Sequence, residues 1–165
     1  MINYICLDDV TYNITKVRLE RALVWPVATY GCEAWTVRKD EEQRLAAFEM
    51  KGLRQFLRVS WTAKKTNEWV LEKAGTERDL LAAVRRRKLA YYGHVMRKTG
   101  ESLEKEIMQG TMPGSRARGR PRMSWMDNVR TWTNLNTGEL IRKVEDRVKW
   151  RQFARSAANP RIEEG

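Results

Sequence analysis

Cysteine, histidine and proline are scarce in this chain: two, one and four of 165 residues. Cys6 and Cys32 stand in CLDD and YGCE contexts, neither of them CxxC, so no disulfide framework is expected and a reducing compartment fits. One histidine with two cysteines cannot build a CCHC knuckle or a two-finger zinc site, and neither a metal nor another cofactor is expected. Long apolar runs are missing. No stretch approaches the roughly 18 residues of a membrane-spanning helix. The opening MINYICLDDV is acidic rather than basic and lacks a small-residue cleavage site, so it does not read as a signal peptide. Acidic residues are outnumbered, 21 against 32 Lys and Arg, which leaves a net charge of +11.

That surplus predicts a polyanionic partner, nucleic acid ahead of an anionic membrane, and no small-molecule substrate. Apolar residues make up 42% of the chain and seven are tryptophan, too many for a disordered basic tail, so a packed core is expected.

The patterning is helical throughout and predicts an all-α fold, a small multi-helix bundle interrupted by one Arg/Gly/Pro-rich loop. Residues 1–12 carry no clear element. From Ile14 to about Trp35, Leu19, Leu23, Val27 and Tyr30 recur at helical spacing, with Pro26 expected to kink the helix and Gly31 to break it. Residues 39–58 read as the clearest amphipathic helix, with Leu45, Phe48, Gly52, Leu53, Phe56 and Leu57 on one stripe. Asp40, Glu41 and Glu42 at its start and Arg54 and Arg58 near its end suit the helix dipole. A short helix at about 66–74 stops at Gly75. TERDLL then reads as a capping box, Thr76 with Asp79, opening a helix to about Arg97. A further piece covers 102–109. Beyond the loop, Trp125, Val129 and Trp132 mark another helix. Leu140, Ile141, Val144 and Val148, then Trp150, Phe153 and Ala157, mark the last two, with Asp146 as a cap between them. The expected organisation is a helical domain over 13–109, a basic linker at 110–122, a C-terminal helical segment at 123–157 and a frayed tail at 158–165.

Few residues offer catalytic chemistry. Asp8 and Asp9 are adjacent, as in metal-binding polymerase turns, but the aromatic residue usual two positions before the first aspartate is replaced by Cys6, and no palm sequence or third carboxylate accompanies them. They read as a solvated or capping pair. His94, in YYGHVMRK, reads as a structural or phosphate-bonding histidine, and Cys32 as a packed thiol. The basic features carry more. Arg85, Arg86, Arg87 and Lys88 are consecutive on a helix, Arg97 and Lys98 extend the patch, and no acid lies between Ala82 and Thr99. In the loop GTMPGSRARGRPR, with three Gly, two Pro and four Arg, Arg116, Arg118, Arg120 and Arg122 surround an RGRP core like that of an AT-hook. Glycine there permits close backbone approach, proline extends the chain, and the guanidiniums suit a narrow A/T minor groove.

Taken in order, the blocks VWPVATYGCEAWTVRKDEEQRLAAFEMKGLRQFLRVSW, TNEWVLEKAG, RRRKLAYYGHVMR, GRPRMSWMDNV and DRVKWRQF resemble the segment that follows the polymerase core in non-LTR (LINE-like) retrotransposon endonuclease–reverse transcriptases. The similarity runs from about residue 14 to 155. Two departures stand out: Tyr91 and Tyr92 where a tryptophan is common, and Gly52 where a larger residue is usual. The resemblance implies a thumb-like and connector region that grips a template–primer duplex and packs on an upstream palm domain. It also implies that the polymerase and endonuclease carboxylates lie upstream, so no catalytic residue and no enzymatic activity are expected of this chain by itself. The expected function is noncatalytic binding of an RNA or DNA duplex through the ten basic residues named above, within the cell and in the nucleus where that function is kept. The alternative is a small chromatin or RNA-binding protein that uses the RGRP loop as a hook.

Overall fold

The computed structural model describes residues 4–100, 102–109 and 123–159, with side chains from Thr11 onward except that of Gln109. Among these residues every element is helical, as the periodicity predicts. The helices are α1 (Tyr4–Ala28), α2 (Lys39–Phe56), α3 (Asn67–Ala74), α4 (Leu80–Met96), α5 (Leu103–Gln109), α6 (Trp125–Thr133), α7 (Thr137–Glu145) and α8 (Arg147–Ala158), with single 3-10 turns at Cys32–Ala34 and Trp61–Ala63. The described residues form two compact units, one within 4–30 and 39–81, the other within 31–38 and 82–159. The boundary therefore falls within the domain expected over 13–109, because α1 to α3 close a core of their own while α4 shares its core with α6 to α8. The loop at 110–122, with Arg116, Arg118, Arg120 and Arg122, lies outside the described residues.

In the first unit α1, α2 and α3 pack pairwise around Val17, Met50, Leu53, Leu57, Val70 and Ala74. Two expected core stripes are corrected. On α2, Phe48 is 40% exposed and Glu49 takes the inward position beside Met50 and Leu53. On α1, Leu19, Leu23 and Val27 face outward, as does Tyr30 just beyond it, while Val17, Glu20 and Trp25 are buried. This helix is apolar on two sides, so spacing alone does not choose between them. It also begins at Tyr4, inside the segment that carried no clear element, which places Asp8 and Asp9 on a helix rather than in a turn between strands. Pro26 sits in its last turns without ending it, and the chain breaks at Gly31 as expected.

Two polar side chains replace apolar ones in this core. Glu49 Oε1 accepts from the backbone N–H groups of Asp79 and Leu80 at 2.9 and 3.1 Å. It thus supplies from α2 the cap expected of Thr76; that hydroxyl instead accepts from Arg21 Nη2 at 2.6 Å. Glu20 on α1 is 2% exposed and reaches the one position on α2 that has no side chain, for a Cβ on Gly52 would stand 2.1 Å from its Oε1.

The second unit is built on Leu89, Tyr92, Met96, Met126, Val129, Leu140, Val144, Trp150 and Ala154. A Cβ on Gly93 would lie 2.1 Å from Trp150 Nε1. The absence of that atom lets the indole donate to the Leu89 carbonyl at 3.1 Å, bringing α8 against α4. Ser124 and Asp127 form a full capping box on α6, as do Asn136 and Glu139 on α7. Asp146 caps α8 through the N–H groups of Val148 and Lys149, the role expected of it. Val148 itself is exposed, because the chain turns at that cap and the face of α7 does not continue into α8.

Candidate nucleic-acid interface

Four consecutive basic residues on a helix point in four directions about 100° apart, so they cannot share one surface. Lys88 is the one turned inward. It is fully buried, donating from Nζ to the Trp35 carbonyl and to Asn128 Oδ1, both at 2.7 Å, with its ammonium 4.6 Å from the centre of the Trp125 ring and 5.3 Å from that of Trp132. Burial pushes its pKa down to about 7, against the oxygens and indole faces that favour the charged form. Asn128 completes the arrangement by taking the Val37 N–H at 2.8 Å and giving to the Val37 carbonyl at 2.6 Å. Trp125 Nε1 donates to the Glu33 carbonyl at 2.7 Å. Together these bonds tie the segment 33–37 to α4 and α6. Lys88 is thus a structural residue and not the phosphate contact expected of it: its head is turned away from solvent.

The other basic residues of α4 separate accordingly. Arg85 is half-buried with its guanidinium 5.3 Å from the Trp132 ring centre. Arg87 is exposed, and its guanidinium bonds to Cys32. That thiol is fully buried, as expected, and burial raises its pKa. Lys98 is paired with Glu104 on α5. Arg86 and Arg97 are eleven residues apart, three helical turns, and so fall on one face.

That face meets α8. Arg86 and His94 of α4, Arg97 just past its end, and Arg147, Arg151 and Arg155 of α8 line a cleft of about 320 Å³ floored by Ala90, Trp150 and Ala154. No carboxylate is among the lining residues. Arg97 Nη1 donates to the Val144 carbonyl at 3.1 Å, which fixes its guanidinium at the cleft. Burial first, and the charge of Arg147 second, hold its pKa below the ordinary guanidinium value. Like charges held this close are relieved by an anion between them, and guanidinium forks match phosphate oxygens in geometry. Of the expected basic residues the structure brings Arg86 and Arg97 together, and adds His94, Arg147, Arg151 and Arg155. The last three are spaced four apart in DRVKWRQFARS, a helical basic stripe visible in the sequence but masked by the apolar residues between them. Tyr92 is fully buried against Trp150, and Tyr91 is half-buried beside Trp125.

Among curated proteins the chain is similar to a Caenorhabditis elegans protein described as uncharacterised and transposon-derived, with 29% identity over 154 residues, covering 87% of this chain and 55% of that protein. The chain thus spans about half the length of that relative. The similarity points to a transposon-related origin. No family model and no solved structure matches the chain.

Proposed function

We propose that the chain is a noncatalytic, duplex-gripping part of a retrotransposon reverse transcriptase-like protein, holding the sugar–phosphate backbone in the arginine cleft of α4 and α8. The observation that carries this reading is the convergence of five arginines and a histidine, without a carboxylate, on one cleft between two helices locked together by Gly93 and Trp150. The order of the sequence blocks and the similarity to a transposon-derived protein support the origin. Such a grip is largely blind to base sequence, because phosphates carry none of that information. Primer extension that depended on Asp8 and Asp9 would overturn the noncatalytic part.

Binding of a labelled duplex at several salt concentrations tests the grip. Each phosphate neutralised on B-DNA contributes about −0.9 to the log–log slope, so Arg147→Ala/Arg151→Ala/Arg155→Ala should flatten it by up to about three. The loss should be equal on A/T-rich and G/C-rich duplexes. An unchanged slope refutes the cleft. Loss confined to A/T-rich duplex on replacing Arg118 and Arg120 would favour the hook instead.

A further inference from the structure

The first unit carries a separate surface that the duplex grip does not use. Trp61 opens the 3-10 turn after α2 and is 86% exposed, an unusual place for a large indole when the core takes other tryptophans. It forms a shared wall between two depressions, of about 700 and 540 Å³. In the first, Met50 and Val59 give an apolar surface, Gln43, Gln55 and Asn67 bring amides, and Lys51, Arg54 and Arg78 bring charge. The second is lined by Arg54, Lys64 and Lys65 with the hydroxyls of Ser60 and Thr62. Neither contains a carboxylate.

The turn is held in place. Arg54 Nη2 donates to the Lys65 carbonyl at 3.1 Å and to Asn67 Oδ1 at 2.9 Å, and Ser60 caps the turn through the Thr62 N–H. The indole is therefore presented on a fixed loop with cations on both sides. An aromatic face beside hydrogen-bonding amides suits a planar heterocycle, and cations in linings that contain no carboxylate suit the phosphates attached to it.

We propose that Trp61 is a stacking platform for an unpaired nucleobase of a single strand, with its flanking phosphates on Arg54, Lys64 and Lys65. A base inside a duplex has no free face to offer, so this site reads a single-stranded portion of the nucleic acid. It involves none of the residues of the arginine cleft.

The test is binding of the full chain, by anisotropy, to four probes: an oligothymidylate DNA strand, an oligouridylate RNA strand, an abasic strand of the same length and a blunt duplex. Base–aromatic stacking predicts that Trp61→Ala weakens a base-bearing strand about tenfold and leaves the abasic strand and the duplex unchanged, while Trp61→Tyr retains most of the affinity. A response on the DNA strand, the RNA strand or both supports the proposal and shows which it serves. Equal affinity of the wild type and Trp61→Ala for both base-bearing strands overturns it, as does an equal loss on the abasic strand, which would mean that charge alone acts there or that an acidic partner is the real occupant. The triple arginine variant of α8 reports separately on duplex binding, so either site can fail without the other.

Discussion

Gly52 and Glu20 should behave as one unit, and a double-mutant cycle can show it. In an ordinary helix interior, replacing Gly by Ala stabilises by up to about 1 kcal/mol. At position 52 the new methyl would stand 2.1 Å from Glu20 Oε1, an atom with no hydrogen-bond partner among the described residues and almost no access to solvent. The carboxyl must then move within a packed core, at a cost of about 1–3 kcal/mol that exceeds the helical gain. Gly52→Ala alone should therefore destabilise, whereas in a Glu20→Ala background it should stabilise by up to about 1 kcal/mol. The carboxyl also makes the unit sensitive to pH. Burial first, and the neighbouring charge of Glu49 second, raise Glu20 from 4.5 to about 7, with Arg21 opposing. A pKa raised on folding gives stability that is complete below pH 4.5 and lost as pH rises through 7. At about 1.4 kcal/mol per tenfold change in proton affinity, ionised Glu20 costs about 3 kcal/mol at pH 8 relative to pH 4. Urea unfolding of the four chains at acidic and at alkaline pH, followed by far-UV circular dichroism, reads both effects. Glu20→Gln should flatten the profile between pH 4.5 and 8. If Gly52→Ala changes stability with the same sign and size in both backgrounds, the contact does not exist and the reasoning fails.

Lys88→Met should leave the salt slope of duplex binding untouched, since the ammonium is buried. Because folding lowers the pKa of Lys88 from 10.5 to about 7, the wild type should gain stability as pH rises across that window, and the variant should lose this rise; denaturant midpoints at pH 7 and 10 would check it. Phe48→Ala should cost less than about 1 kcal/mol because the ring is half outside the core, whereas Leu53→Ala should cost about 2–5 kcal/mol; thermal melts of the two variants compare them directly.

Helix positions were legible wherever local chemistry decided them. Gly75 ends α3, and Asp146 caps α8, as their types and places imply. The sequence was silent where a partner from elsewhere in the chain set the outcome. TERD has the letters of a capping box, yet α4 starts four residues after Thr76 because Glu49 supplies the acceptor from a residue 31 positions before Leu80. The inward face of α1 could not be read because both of its sides are apolar. The choice is made by α2, whose missing side chain at Gly52 admits Glu20. A glycine inside a helix is locally unfavourable, and the buried glutamate facing Gly52 gives its physical reason.

The candidate site was half legible for a related reason. A run such as RRRK announces charge but hides direction, since neighbours on a helix diverge by about 100°. The useful signal was the longer spacing, Arg86 to Arg97 and Arg147 to Arg151 to Arg155, which survives as a stripe on each helix. Joining the stripes requires knowing that α8 lies on α4, and that depends on Gly93, where the lack of a Cβ admits the Trp150 indole. The GH pair is then best understood as two separate devices in adjacent positions. Glycine makes the helix contact possible, and the histidine next to it faces the cleft that the contact creates. Charge without this packing would have been a solvated surface. The closeness of the helices confines the arginines, so that burial first and the charge of Arg147 second lower the pKa of Arg97, and it is this confinement, more than the number of basic residues, on which the proposed phosphate grip rests.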